Sequence, residues 1–143
     1  MMKNILVALD NSEFADKVMK QAVDLAKVLG ANLTAVSVLD YSVMTYIDEA
    51  GVVIMPEVLE GMKKSFELVL NRCRELADNA GLFYKQEILR GSPGNAIVEY
   101  AGENGIDLIV VGHIGRTAAL QLLLGSVANK VANYAKCSVL VVK

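Results

Sequence analysis

Short apolar runs alternate with longer segments of helical rhythm along most of this chain. Five runs have the length of buried strands, and the third alternates only partly between apolar and polar positions. They cover residues 5–9, 33–39, 83–89, 106–111 and 138–142. Strands that alternate with helices predict an α/β fold, here a single doubly wound parallel five-stranded sheet with helices on both faces.

Four segments between these runs have apolar residues on one helical face. The first begins at Ser12, a good N-cap, and ends at Gly30, because glycine accepts the left-handed conformation that ends many helices. Its apolar face consists of Phe14, Val18, Ala22, Leu25, Ala26 and Leu29. The other predicted helices cover residues 57–79, 93–103 and 125–135, and residues 117–124 are compatible with helix. The third helix follows Ser92 as N-cap and has Pro93 at its first position, where the missing N–H costs nothing.

Residues 40–56 show neither the apolar run of a buried strand nor the periodicity of a helix. Aromatic, acidic and apolar residues are mixed there, and Gly51 and Pro56 interrupt any regular element. The sequence therefore predicts a long loop, and loops of this length are usually functional or mobile.

Composition excludes several classes of protein. The 143 residues suit one domain, taken as residues 1–143, with 54% apolar and 21% charged residues. This content is too hydrophobic for disorder, and a net charge of −2 without a basic cluster gives nucleic-acid binding little support. The first apolar run is too short for a signal peptide, and none approaches the roughly 20 residues that cross a bilayer. We expect a cytoplasmic protein.

The two cysteines, Cys73 and Cys137, lie far apart and form no CxxC motif, so we expect two reduced thiols. With one histidine in the chain, they make no transition-metal cluster. Any metal would arrive on the oxygens of a bound phosphate.

Glycines follow the fourth predicted strand at a distinctive spacing. Gly112 ends the strand, Gly115 follows three residues later, and Gly125-Ser126 opens the last predicted helix. Glycine lets the backbone approach a bulky anion, and the free N–H groups and positive end of a helix attract it. The arrangement predicts a phosphate cradle.

The full spacing, Gly112-x2-Gly115-x9-Gly125-Ser126, resembles the phosphate loop in the nucleotide-binding branch of the universal stress protein family. The opening run that ends in Asp10, the Leu124 to Ala128 step and the closing apolar run agree in order and separation. The resemblance covers nearly the whole chain. It implies a strand order of 3-2-1-4-5, which reverses between strands 1 and 4, and ligands bind at such a switch point beyond the strand carboxyl ends.

The resemblance also assigns nucleotide contacts to individual positions. They are Ala8, Leu9 and Asp10 at the end of strand 1, Val38 and Leu39 at the end of strand 2, Gly112, His113, Gly115 and Arg116 in the loop, and Gly125, Ser126 and Val127 at the last helix. Val38 and Leu39 correspond to the adenine edge, where main-chain groups read the base. Asp10 could bind a ribose hydroxyl or the water shell of a metal, or it could stabilise a turn.

Side chains of the glycine loop leave alternatives open. Arg116 could reach a phosphate or remain a solvated charge, and Ser126 could bind a phosphate, cap the last helix, or both. Ile114 stands where the family often has a polar side chain, so we expect this loop to bind through its backbone. A related superfamily of nucleotidyltransferases has a histidine-rich motif after the first strand. His113 is alone and follows the fourth strand, which argues against that chemistry.

The expected function is that of an ATP-binding stress or regulatory protein, with Mg²⁺ or Mn²⁺ on the phosphates. The chain lacks the lysine of a GxxxxGK motif and a well-placed general base, so fast hydrolysis is not expected. A slow ATPase or self-phosphorylating enzyme is the alternative, and an interaction-only dimer is the third hypothesis. Family members commonly dimerise through the last strand, so we expect a homodimer through residues 138–142, with an unidentified protein partner.

Overall fold

The computed structural model describes residues 1–43, 45–114 and 124–143, without the side chains of residues 43–48 and 52–54. Five parallel strands form the central sheet: β1 (Asn4–Ala8), β2 (Asn32–Leu39), β5 (Tyr84–Arg90), β6 (Leu108–Gly112) and β7 (Ser138–Val142). Their order is β5-β2-β1-β6-β7. This order confirms the expected 3-2-1-4-5 arrangement of an α/β sheet.

The central strands are apolar throughout because both faces of the sheet are covered. Ile5, Leu6 and Val7 on β1 are fully buried, and successive side chains point to opposite faces. Ile5 and Val7 pack with α1 (Ala15–Leu29) and α2 (Pro56–Asn79). Leu6 packs with α3 (Pro93–Glu103) and α4 (Ser126–Tyr134). The helices therefore lie on both faces, as predicted.

The start of α1 differs from the prediction. The helix begins at Ala15, the N-cap position is Phe14, and no side chain caps it. Ser12 instead donates its N–H to Oδ1 of Asp10 at 2.9 Å, while its carbonyl accepts the N–H of Ala15 at 3.2 Å. The aspartate competes for this stretch of backbone and turns it before the helix begins. Gly30 does end the helix, with φ of 64°.

The region predicted as a loop contains regular structure. A one-turn 3₁₀ helix (Tyr41–Val43) is followed by an antiparallel hairpin of β3 (Thr45–Asp48) and β4 (Gly51–Ile54). Two residues, Glu49 and Ala50, connect the strands, and Gly51 follows with φ of 121°. Glu-Ala is not a dipeptide that favours a tight hairpin turn, so the usual sequence signal was missing.

No helix in the described part of the chain is long and apolar enough to cross a membrane. Residues 117–123 of the segment considered for helix before α4 lie outside the described ranges.

Candidate functional site

A cavity of about 730 Å³ opens at the carboxyl edge of the sheet. It lies at the ends of the neighbouring strands β1 and β6. The helix α1, which follows β1, covers one face of the sheet, and α4, which follows β6, covers the other. Parallel strands whose following helices diverge in this way leave a crevice at their ends. The cavity is the switch-point crevice that the strand order predicted.

Eight of the twelve predicted contact residues line this cavity. They are Ala8, Leu9, Asp10, Val38, Gly112, Gly125, Ser126 and Val127. Four separate parts of the sequence, residues 8–10, 38, 112 and 125–127, therefore meet at one edge of the sheet. Gly115 and Arg116 lie outside the described residues.

Asp10 follows β1 and is partly buried at the cavity. Its Oδ1 accepts the N–H of Ser12, so the turn-stabilising interpretation of Asp10 is observed directly. Its Oδ2 has no hydrogen bond to a described residue and remains available for a ligand. The turn role and a ligand role can hold together.

Gly112 ends β6 at a place where the chain packs closely against α1. A Cβ at this position would lie 3.2 Å from Cγ2 of Val18 and 3.4 Å from the carbonyl oxygen of Ile114. The first separation is tighter than ordinary van der Waals contact. A side chain here would require Val18 to shift by a few tenths of an ångström, so glycine favours the close packing of α1 against the end of β6, apart from any role with a ligand.

His113 is turned away from the large cavity. It lines a small one of about 50 Å³ beside Lys17, Val142 and Lys143. Both backbone groups of His113 are used: its N–H donates to the Val142 carbonyl at 2.7 Å, and its carbonyl accepts the N–H of Gly125 at 2.9 Å. The residue joins the edge strand to the start of α4.

Leu39 also stays outside the cavity lining, because its side chain is fully buried against Phe66. Its carbonyl accepts the N–H of Gly91 at 2.9 Å, which engages one of the main-chain groups expected to read a base. Val38, one residue earlier, is half-buried and lines the cavity.

The N-terminus of α4 supplies backbone donors at the cavity. Gly125 is its N-cap position, and no side chain caps the helix, so Ser126 is the first helical residue and not the cap. The N–H groups of Ser126, Val127 and Ala128 have no acceptor within the helix, and all three residues line the cavity. These donors and the helix dipole favour an anion.

A second helix start, which the sequence pattern had not indicated as part of the site, lies beside that of α4 at the cavity. Ser92, Pro93 and Gly94, at the N-terminus of α3, line it, and the Ser92 side chain makes no cap bond. The topology offered a signal, since each helix that follows a parallel strand begins at the same edge as the cavity. Two adjacent helix N-termini make this side of the cavity electropositive.

The charged side chains that line the cavity come from different elements, with the acids after strands and the lysine on a helix. Asp10 and Asp40, which follow β1 and β2, contribute carboxylates, and Oδ1 of Asp40 accepts the N–H and the hydroxyl of Ser42. Lys130, on α4, is the sole basic residue among the described residues of the lining. No metal-binding group of three or more His, Cys, Asp or Glu residues occurs in the described ranges.

The cysteines lie apart from this site. Both are free thiols, as predicted, with Cys73 buried and Cys137 half-buried. Burial raises the pKa of the Cys73 thiol to about 11, and burial also raises the pKa of Cys137. Neither thiol belongs to the cavity lining, and neither has the lowered pKa of a reactive cysteine.

Comparisons with known proteins agree with this geometry. The model of the universal stress protein family matches residues 1–143. A universal stress protein of Methanocaldococcus jannaschii is 35% identical over 141 residues, which are 99% of this chain and 82% of that protein.

Two solved structures share the fold over nearly their whole length. Universal stress protein UspA from Lactobacillus plantarum has a TM-score of 0.81 and 31% identity, over 99% of this chain and 98% of that one. A universal stress protein solved in complex with cAMP has a TM-score of 0.74 and 25% identity, over 99% and 97%. The chain belongs to the universal stress protein family.

Proposed function

We propose that this chain, as one domain of residues 1–143 in the cytoplasm, binds ATP with a divalent cation in the large cavity. It would do so as a homodimer whose nucleotide state is read by a protein partner. The observation that carries the proposal is the meeting of Gly112, Gly125 and the uncapped start of α4 at the switch point. Backbone donors and a helix dipole at a glycine-rich strand end suit phosphates.

The size and the apolar side of the cavity support a nucleotide. A volume of about 730 Å³ lies within the range of small-molecule sites. Val38, Met62 and Phe66 line the side next to β2 and α2, where a flat base could pack. The related protein that holds cAMP shows that a member of this family can bind an adenine nucleotide.

The acids of the cavity fit a cation that is carried by the phosphates. Mg²⁺ is usually bound by one or two carboxylates together with substrate phosphates and water, rather than by a protein cage. Asp10 and Asp40 are the carboxylates that could complete such a shell, since Oδ2 of each makes no hydrogen bond to a described residue. The cation would supply charge neutralisation, and these residues would orient it.

Isothermal titration with ATP and Mg²⁺ tests the proposal. The expected dissociation constant is in the micromolar range, and Gly125→Val should weaken binding because a branched side chain would stand at the N-terminus of α4. Gly102→Val is the matched control. Gly102 lies near the C-terminal end of α3 and does not line the cavity, and a Cβ there meets nothing within 4 Å.

Absence of binding by the wild type at millimolar ATP would refute the proposal and favour the interaction-only hypothesis. The same preparations are assayed for phosphate release. Turnover far below the enzyme median of about 10 per second is expected. Brisk release that Gly125→Val abolishes would favour the ATPase alternative.

The dimer part of the proposal rests on β7. This strand is at the edge of the sheet, and its outer side has no partner among the described strands. The Val142 carbonyl accepts the His113 N–H, so Val142 and Leu140 direct their backbone groups toward β6, while those of Val139 and Val141 point outward. An apolar edge with free donors and acceptors is suited to pairing with a second copy.

Val139→Pro removes an outward N–H and should lower the dimer fraction in sedimentation experiments. Leu140→Pro is the contrasting variant, because it removes an inward donor and should destabilise the monomer itself. A wild type that stays monomeric at high micromolar concentration would refute the dimer.

A further inference from the structure

We propose that Lys130 binds the outer phosphates of the nucleotide and makes the cavity favour nucleoside di- and triphosphates over monophosphates. The inference rests on the proposed function and names a specificity-determining residue for it.

Lys130 lies on α4 and lines the cavity next to the start of that helix. Ser126, Lys130 and Tyr134 are four residues apart and share one face of the helix. Side chains on a helix lean toward its N-terminus, so a Lys130 side chain that leaves the Tyr134 ring can extend over the turn that begins at Ser126. Lys130 lines the same cavity as Ser126.

Close packing against α3 fixes the base of this side chain. Gly94 has no Cβ, and one built there would lie 2.7 Å from Cβ and 2.5 Å from Cγ of Lys130. The absence of a side chain at Gly94 therefore makes the room that the stem of Lys130 occupies. This contact places the base of the lysine against the N-terminus of α3, one turn after the start of α4, so a phosphate chain at these helix starts would meet two helix dipoles and have a cation nearby.

The ammonium has an alternative contact within reach. Nζ of Lys130 lies 5.1 Å from the centre of the Tyr134 ring, an exposed cation–π contact of modest strength. A phosphate oxygen is a stronger partner for an ammonium group than an exposed ring. Binding of a phosphate chain is therefore expected to draw Nζ from the ring into the cavity.

Charge balance explains why the number of phosphates should matter. The described lining contains two carboxylates, Asp10 and Asp40, against the one ammonium of Lys130. A triphosphate brings more negative charge than a monophosphate, so it repels the carboxylates more and gains more from the lysine. Removal of Lys130 should therefore penalise ATP more than AMP.

Titration of four proteins with ATP and with AMP tests the inference. We expect Lys130→Met, which keeps the length of the stem, to raise the ATP dissociation constant about tenfold or more and that of AMP by less than about threefold. Lys130→Arg should retain most of the ATP affinity. Lys136→Met removes the same charge from an exposed residue beyond α4 that does not line the cavity, and it should change neither constant.

The preference of Lys130→Met for ATP over AMP should also become less sensitive to salt than that of the wild type. Equal loss of both nucleotides, no loss of ATP, or the same effect in Lys136→Met would overturn the inference while leaving ATP binding intact. A wild type that binds neither nucleotide would instead overturn the proposed function, and the role of Lys130 would fail with it.

Discussion

Gly94 offers the sharpest test of how α3 and α4 are held together beside the cavity. It is the second residue of α3, and its φ is not in the left-handed region, so alanine suits the backbone. Space is what prevents the substitution. A methyl group at this position would lie 2.7 Å from Cβ and 2.5 Å from Cγ of Lys130, both near the backbone of α4 rather than at the flexible end of the lysine.

Two opposing effects decide the sign of the change in stability. Replacing glycine by alanine in a helix contributes up to about 1 kcal/mol, and less in the first turn. Overpacking of a close contact costs about 1–3 kcal/mol, because α3 and α4 must move apart. We expect Gly94→Ala to lower the free energy of unfolding by about 1–2 kcal/mol, since the steric cost exceeds the helix gain.

Gly102→Ala provides the matched control in the same helix. A Cβ at Gly102 meets nothing within 4 Å, so only the helix gain remains and stability should rise by up to about 1 kcal/mol. Urea unfolding of both variants measures the difference, which corresponds to a shift of about 2–4 °C in Tm for each kcal/mol. Gly94→Ala as stable as Gly102→Ala would refute the packing argument. Adding Lys130→Ala to Gly94→Ala should recover part of the loss, because it removes the Cγ contact.

Two further predictions concern pH. Burial holds the pKa of Cys73 at about 11 instead of 9.0, so the unfolded chain releases this proton first and the free energy of unfolding should fall between about pH 9 and pH 11, at up to about 1.4 kcal/mol per pH unit. Cys73→Ala should flatten that decline in urea titrations, and an unchanged slope would contradict the assignment. The Asp107 carboxylate accepts the N–H groups of Lys3 and Asn4 at 2.8 and 2.9 Å, and these bonds lower its pKa. Its stabilising effect is present above the ordinary carboxyl pKa and is lost as pH falls through the lowered one, so Asp107→Asn should weaken the acid dependence of stability; equal urea midpoints for both proteins from neutral to acid pH would contradict this.

The core strands could be predicted because burial on both faces leaves a plain signal. Leu6, Val36 and Ile109 are fully buried, and polar residues cannot occupy such positions without partners. The hairpin β3–β4 gave no such signal. A short hairpin is recognised in a sequence mainly by its turn residues, and Glu49-Ala50 is not a favoured turn dipeptide. The prediction of Ser12 as an N-cap was wrong because the side chain of Asp10 accepts the N–H of Ser12 in a turn ahead of the helix.

The candidate site could be located from sequence, but its lining could be predicted only in part. The ends of parallel strands and the starts of the helices that follow them lie at one edge of the sheet, which is why the sequence predicted that Asp10, Gly112 and Gly125 lie close together. Whether a side chain points into the crevice depends on packing across helices. Lys130 was missed because its placement depends on the absence of a side chain at Gly94, a contact between residues 36 positions apart.

His113 lies between the strand proposed to form the dimer and the helix proposed to bind phosphate. Its N–H bonds the Val142 carbonyl of the edge strand, and its carbonyl bonds the Gly125 N–H at the start of α4. A partner strand on β7 and a phosphate on α4 would therefore act on opposite ends of one short chain of hydrogen bonds. Contiguity alone does not couple two sites, because coupling needs a second arrangement whose population both ligands change.

The carbonyl that accepts the His113 N–H belongs to Val142, whose backbone groups face β6, whereas Val139→Pro alters only the outward side of β7. We therefore expect this variant to lose dimer while it binds ATP as the wild type does. A matched change in ATP affinity would show instead that the edge strand and the cavity move together.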